Sequence, residues 1–202
     1  MMKTLFPLLL ASSVIFPTAS WSATGPASDL DPALVTKCES CHGEHGNSTS
    51  PTVPRLNGQQ QDYLQLRLKE FLDPTRGTPH ATYQMWETAT NLGDRTAAGL
   101  AGYFALQTPT PAAPKGALAA KGEKIYLEGA GPEVPACASC HGSAGEGKGI
   151  VPRLAGQHAE YLAQQVSAFM LAIRVNETMN RHAWHLDGDQ SKAIAAYLAN
   201  GD

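Results

Sequence analysis

The sequence predicts an all-α protein made of two similar domains, and three observations lead to this fold class. Apolar residues recur at intervals of three and four over Tyr63 to Leu72 and again over Tyr161 to Ile173, as on one face of an α-helix. No segment sustains the apolar and polar alternation of a strand. A tandem repeat divides the chain, and its period of about 100 residues suits a whole domain.

The repeat is anchored by two copies of the sequence C-x-x-C-H-G. These copies begin at Cys38 and Cys137, 99 residues apart, and VPRLNGQ from Val53 matches VPRLAGQ from Val151 at an offset of 98. Further equivalent pairs continue the match: Tyr63 with Tyr161, Phe71 with Phe169, Arg76 with Arg174 and Tyr103 with Tyr197. So many ordered matches indicate a duplicated domain.

Each copy also ends in a predicted helix. Apolar residues at helical spacing follow Asp94 in the first copy and Asp189 in the second, and we expect the two helices to begin at these residues. Between the copies, alternating prolines favour an extended linker. We therefore divide the chain into a signal peptide (1–22), an N-terminal domain (23–108), a linker (109–116) and a C-terminal domain (117–202).

The N-terminus has the pattern of an export signal. Lys3 provides the positive charge, and the apolar stretch from Leu5 to Phe16 is too short to cross a bilayer. Small residues near Ser22 predict cleavage before Ala23 and hence a periplasmic protein; an uncleaved membrane anchor is the alternative. Removing Lys3 leaves 14 basic and 18 acidic side chains, a net charge of −4 that argues against nucleic-acid binding.

All four cysteines belong to the two C-x-x-C-H motifs. This spacing places two thiols one helical turn apart, where they form thioethers with a haem, and aims the adjacent histidine at the iron. The sequence therefore predicts two haem c groups, held by Cys38, Cys41 and His42 and by Cys137, Cys140 and His141. There are three alternatives to haem attachment. The first is a thioredoxin-like redox pair, which needs a β-α-β pattern, and the second is a zinc site, which needs four clustered ligands. The third is a pair of disulfides.

The sixth iron ligand must come from elsewhere in each copy. Met85 and Met179 each precede a leucine by seven residues, so they hold equivalent positions in the repeat and are the candidate ligands. A methionine ligand raises the reduction potential relative to a second histidine. The alternative is that each methionine only fills the core. A haem would also serve as the core that so small a domain needs.

These segments together resemble the dihaem cytochrome c4 family: the paired C-x-x-C-H-G and P-R-L-x-G-Q sequences, the Tyr-Leu pair and the late methionines. The resemblance covers nearly all of the mature chain. It implies that each domain has a class I cytochrome c fold around one haem, and that the two domains are related by pseudo-twofold symmetry. The implied axial pairs are His42 with Met85 and His141 with Met179. The implied partners of the second ring N–H of these histidines are the carbonyls of Pro54 and Pro152.

The chain departs from this family around the methionines. The residues before Met85 lack the Asn- and Asp-rich approach of many relatives. His182 and His185 lie close to Met179 and are competing ligands, although a surface position is the ordinary expectation for both. The same surface position is expected for His45, His80 and His158.

Four arginines repeat pairwise and are candidate partners of haem propionates, because a guanidinium matches the geometry of a carboxylate. These are Arg55 with Arg153, and Arg76 with Arg174. Solvated arginines are the alternative.

These features predict a periplasmic electron carrier that is not an enzyme and has no small-molecule substrate. We expect transient contacts with redox proteins, in which electrons pass from a dehydrogenase or a quinol-oxidising complex to a terminal oxidase or reductase. Docking to a membrane-bound oxidase or quinol-oxidising complex is part of this expectation. The alternative is a dedicated electron-accepting subunit of a periplasmic sulfur-compound dehydrogenase. A dihaem peroxidase is disfavoured, because that chemistry needs an iron with an open position.

Overall fold

The computed structural model describes residues 30–72 and 81–199. Within these ranges the helices are α1 (Pro32–His42), α2 (Gln61–Glu70), α3 (Ala81–Ala89), α4 (Asp94–Ala105), α5 (Gly116–Glu128), α6 (Ala138–His141), α7 (Ala159–Met170), α8 (Glu177–Ala183) and α9 (Gly188–Leu198). A short 3₁₀ turn, Glu44–Gly46, follows α1. The predicted signal peptide, Arg76 and His80 lie outside the described residues.

The all-α prediction is confirmed for the described part of the chain, whose only β-type pairings are two isolated bridges. The two segments with the clearest helical periodicity form α2 and α7. Residues 106–115, between α4 and α5, contain no helix, and α5 begins at Gly116. No helix among residues 30–72 and 81–199 is long and apolar enough to span a membrane.

The beginning of α9 corrects one expectation. This helix begins at Gly188, and Asp187 rather than Asp189 is its N-cap. The Asp187 carboxylate accepts a hydrogen bond from the N–H of Gln190, whose side chain accepts one from the N–H of Asp187. This capping box satisfies N–H groups that the first turn leaves free, so Asp189 lies inside the turn rather than at its start. In the first copy, α4 begins at Asp94 as predicted.

The N-terminal domain has its core between α2 and α4. Leu64 from α2 is buried against Leu100 and Phe104 from α4. Cys38, on α1, packs against the same cluster. The first C-x-x-C-H motif is therefore attached to the core of its domain, and burial of these side chains holds it there.

The C-terminal domain is built on the contact of α5 with α9, and α7 packs on α9 as well. Sequence periodicity did not predict α5, because alanine, glycine and charged residues make up most of its length. Gly122 makes the close approach of the two helices possible: a Cβ at this position would lie 1.8 Å from the carbonyl oxygen of Ala193 on α9. Tyr126 of α5 is fully buried in the resulting core.

The two domains contact each other through equivalent residues. Gln60 donates from Nε2 to the carbonyl of Glu146 at 2.8 Å, and its repeat equivalent His158 bonds through Nε2 to the carbonyl of Ser48 at 3.0 Å. Ser48 and Glu146 both lie in the loop between the C-x-x-C-H-G and V-P-R-L segments of their repeats. Reciprocal contacts of this kind are those of two repeats related by an approximate twofold axis.

Candidate functional site

The first C-x-x-C-H motif occupies the last turn of α1. Cys38 is half-buried against the core, whereas Cys41, one turn further along the helix, is exposed. In the second copy, Cys137 precedes α6, and Cys140 and His141 lie on this short helix. The helical spacing therefore places both thiols of each motif on one side of a turn, beside the histidine.

The ring of each motif histidine is held by a backbone carbonyl. His42 Nδ1 lies 2.8 Å from the carbonyl oxygen of Pro54, and His141 Nδ1 lies 3.1 Å from that of Pro152. Because a carbonyl oxygen only accepts, Nδ1 must carry the proton in both rings. Nε2 then presents its lone pair, and among the described residues it has no hydrogen-bond partner in either histidine.

Burial keeps both imidazoles neutral. The pKa of His42 is lowered by burial, and the hydrogen bond to Pro54 opposes this effect only in part. Burial also lowers the pKa of His141, and the hydrogen bond to Pro152 opposes this effect only in part. A neutral imidazole with a free Nε2 is the form that binds a metal ion.

A tight loop brings each proline back to its histidine. The N–H of Leu56 donates to the carbonyl of Gly46 at 2.8 Å, and the N–H of Leu154 donates to the carbonyl of Gly145 at 2.7 Å. Gly46 has a φ of 78°, which favours glycine. A Cβ at this position would lie 2.8 Å from the ring of Phe104. The repeated glycine is therefore required for the return of the loop.

The geometry counts against the alternative uses of the cysteines. None of the four cysteines forms a disulfide bond. Within the described ranges, no three His, Cys, Asp or Glu side chains are grouped as a metal ion requires. The same residues contain no β-α-β unit of the kind that carries a thioredoxin-like pair.

The two candidate methionines lie on separate short helices. Met85 is on α3 and Met179 is on α8, and both are half-buried. Helix α8 is anchored by Asn180, whose Nδ2 donates to the carbonyls of Phe169 and Arg174 at 2.7 and 2.8 Å. In both domains, a methionine ligand would therefore come from a different helix than the histidine ligand.

Arg55 and Arg153 line a small cavity between the domains. Arg55 Nη1 donates to the carbonyl of Gly156 in the other domain at 2.7 Å. Nε of Arg153 is buried without a hydrogen-bond partner in the described part of the chain, and the same holds for Nε of Arg174. Both arginines of the cavity are half-buried rather than surrounded by solvent.

The histidines outside the motifs differ in their surroundings. His45 and His185 are exposed, as expected, and His185 lies 3.9 Å from the carboxylate of Glu133. His182 is half-buried, and its Nδ1 has no partner among the described residues. The expectation of a surface position is wrong for His158, which is 2 % exposed because it closes a contact between the domains.

Sequence reasoning missed one buried residue that supports the second motif. Tyr126 donates from its hydroxyl to the carbonyl of Gly142 at 2.6 Å, directly after His141. Burial raises the pKa of Tyr126 strongly, so the hydroxyl keeps its proton. The repeat comparison gave no signal here, because residues 23–37, before the first motif, contain no tyrosine.

The residues present fit a covalently attached haem in each domain. Each motif offers two free thiols and an imidazole whose Nε2 lone pair is available. The buried Nε donors of Arg153 and Arg174 have no partner among the described residues, and a buried donor of this kind is suited to a carboxylate.

Comparisons with known proteins agree with this site. The Cytochrome c family model matches residues 119–202. The chain is 34% identical over 212 residues to cytochrome c4 of Azotobacter vinelandii, covering 100% of this chain and 94% of the relative. It is 33% identical over 190 residues to a thiosulfate dehydrogenase electron acceptor of Thiomonas intermedia, covering 90% and 82%. The structure of Acidithiobacillus ferrooxidans cytochrome c4 matches with a TM-score of 0.77 and 39% identity, covering 82% of this chain and 99% of the other.

This similarity extends over both copies of the repeat and agrees with the duplicated motif and the helical fold. The chain therefore belongs to the cytochrome c4 family, the dihaem c-type cytochromes that transfer electrons.

Proposed function

We propose that the chain is a periplasmic electron carrier whose two haems are attached at Cys38 and Cys41 and at Cys137 and Cys140. The observation that carries the proposal is the duplicated motif whose buried histidine is held through Nδ1 by a proline carbonyl. The haem iron supplies a one-electron ferric/ferrous couple. His42 and Met85 would hold the iron of the first haem, and His141 and Met179 would hold that of the second.

The protein residues around each site set its properties. The carbonyls of Pro54 and Pro152 fix the orientation of the ligand rings and increase their basicity. Methionine as the sixth ligand favours a higher reduction potential than a second histidine would. Arg55 and Arg153, which line the cavity between the domains, neutralise propionate carboxylates.

Export and domain division complete this proposal. Residues 1–22 form a signal peptide that is removed near Ser22 and Ala23. The mature chain then consists of domains 23–108 and 117–202, joined by the linker 109–116. The absence of a helix at 106–115 supports this division.

The partners are redox proteins that bind transiently. Electrons reach the protein from a dehydrogenase or a membrane quinol-oxidising complex and leave it to a terminal oxidase or reductase, with docking to the membrane-bound enzyme. No nucleic acid or small-molecule substrate is involved.

Mass spectrometry under denaturing conditions tests the attachment sites. Protein matured in a host that attaches haem c should carry two haems, whereas the Cys38→Ala/Cys41→Ala and Cys137→Ala/Cys140→Ala variants should each carry one. Peptide mapping should place each haem on its own motif. An unmodified wild-type chain, or haem at any other residue, contradicts the proposal.

A second candidate is a dedicated electron acceptor of one sulfur-compound dehydrogenase. The similarity to the thiosulfate dehydrogenase electron acceptor of Thiomonas intermedia favours it. Stopped-flow reduction of the oxidised protein should be measured with a purified thiosulfate dehydrogenase plus thiosulfate, and separately with a quinol-oxidising complex plus quinol. Fast reduction by the dehydrogenase alone supports this candidate, and fast reduction by the quinol-oxidising complex supports the general carrier.

A further inference from the structure

Asn57 places a polar side chain at the contact between the domains that the second repeat lacks. The equivalent position in the second repeat is Ala155. Asn57 is only 9 % exposed. Its Nδ2 donates to the carbonyl of Thr108 at 2.8 Å and to Oγ1 of Thr110 at 2.9 Å. Its Oδ1 is buried and has no hydrogen-bond partner among the residues that the structure describes.

The hydrogen bond to Thr108 fixes the orientation of this amide. A carbonyl oxygen only accepts, so the Asn57 atom that faces it must be the Nδ2 donor. Exchanging the amide oxygen and nitrogen would bring two acceptors together at this place. Oδ1 is therefore the atom without a partner, and burial of an unpaired acceptor is unfavourable.

An unpaired donor from the other domain lies at the same place. Gln59, two residues after Asn57, pairs with both the N–H and the carbonyl of Arg153 at 2.8 Å and so holds Arg153 beside the Asn57 loop. Asn57 and Arg153 both line the small cavity between the domains. Nε of Arg153 is buried and has no hydrogen-bond partner within the described ranges. The lining of the cavity therefore includes one residue with a buried unpaired acceptor and one with a buried unpaired donor.

The size and chemistry of this cavity select its occupant. Its volume is about 10 Å³, and a water molecule needs about 10–15 Å³. An anion only accepts hydrogen bonds and could not satisfy Oδ1 of Asn57. A cation could not accept from Nε of Arg153 and would be repelled by the guanidinium. A water molecule donates and accepts, so it can satisfy both atoms.

We propose that one water molecule binds in this cavity, where it donates to Oδ1 of Asn57 and accepts from Nε of Arg153. Arg153 directly follows Pro152, and Asn57 follows Pro54 by three residues. The water therefore joins the two loops whose proline carbonyls hold the motif histidines. The Nη groups of Arg153 remain available for a haem propionate.

A crystal structure of the complete dihaem protein, at a resolution that orders single water molecules, tests this site. We expect a water oxygen about 2.7–3.2 Å from both Oδ1 of Asn57 and Nε of Arg153. A structure in which no water contacts both atoms overturns the proposal. This includes the case in which a haem propionate accepts from Nε of Arg153 instead.

Two variants test the part played by Oδ1. Asn57→Leu keeps a side chain of similar volume but removes the acceptor, so the water should be absent from its crystal structure. Thr110→Val is the matched control, because it removes the hydrogen bond between Asn57 and Thr110, leaves Oδ1 in place and should keep the water. A water that is retained in Asn57→Leu, or lost from both variants, overturns the role of Oδ1. The wild-type structure decides the question if Asn57→Leu does not fold.

Discussion

Gln59 and Gln157 make the same contact in opposite directions across the domain interface. Gln59 accepts from the N–H of Arg153 and donates to its carbonyl, both at 2.8 Å. Gln157 accepts from the N–H of Arg55 and donates to its carbonyl, both at 2.9 Å. Each buried side-chain amide therefore forms hydrogen bonds with both the backbone N–H and the backbone carbonyl of one arginine in the other domain. A neighbouring β-strand satisfies backbone groups in the same way.

Replacement of either glutamine should weaken the interface. Gln59→Ala leaves the N–H and C=O of Arg153 without these partners, and Gln157→Ala does the same for Arg55. Buried groups left unsatisfied cost about 1–3 kcal/mol, so we expect a lower free energy of unfolding in urea. The exposed Gln84→Ala is the control. If the free energy of unfolding falls no further in these variants than in the control, the glutamine contacts do not stabilise the docked domains.

His158 and Gln60 offer a test of the approximate symmetry. Because Gln60 makes the equivalent contact in the other direction, His158→Gln should keep the hydrogen bond to the carbonyl of Ser48 and lose less than about 1.5 kcal/mol. His158→Ala removes the bond and opens a cavity, and we expect a clearly larger loss, about 2–5 kcal/mol. Thermal and urea unfolding measure both. Equal losses in the two variants would contradict the symmetry of this contact.

The methionine ligands are tested by absorption spectroscopy and cyanide binding. Met85→Ala and Met179→Ala should each open one iron site, lower the potential of that haem and allow faster cyanide binding. His182→Ala is the comparison in the second domain, since His182 is half-buried close to Met179. If Met179→Ala leaves the spectrum unchanged while His182→Ala alters it, the ligand of the second haem is His182.

The contact between α5 and α9 should not tolerate a side chain at Gly122. Gly122→Ala places a Cβ against the carbonyl of Ala193, and we expect a loss of about 1–3 kcal/mol from overpacking. Gly102 on α4 is the matched control, because a Cβ there would be 3.6 Å from its nearest neighbour. Gly102→Ala should stabilise the helix by up to about 1 kcal/mol. Urea unfolding of both variants measures the difference. Similar changes in the free energy of unfolding would contradict the close approach of α5 to α9.

Part of this structure was predictable because it depends on local spacing. The periodicity over α2 and α7 follows from the geometry of one helix, which any amphipathic segment must satisfy. The duplicated motif predicted the two haems c, since thioether formation requires two thiols one turn apart beside a histidine. The family resemblance added the proline carbonyls as partners of His42 and His141, and these hydrogen bonds are present in the structure.

The start of α9 and the existence of α5 were harder to predict. Two aspartates lie two residues apart at the beginning of α9, and only the reciprocal bonds with Gln190 select Asp187 as the N-cap. Helix α5 has few large apolar residues, so its stability comes from close packing on α9 rather than from an amphipathic pattern.

The sequence by itself determined the duplication, the helical class and the two haem-binding motifs, because each of these depends on residues within one helix or on matching segments. Only the tertiary structure decided which residues meet between the domains. The burial of His158, the reciprocal contacts of Gln59 and Gln157, and the approach of Arg174 to Tyr63 all join residues about 100 positions apart. Such contacts depend on how two folded domains dock, and no local spacing in the chain encodes that arrangement.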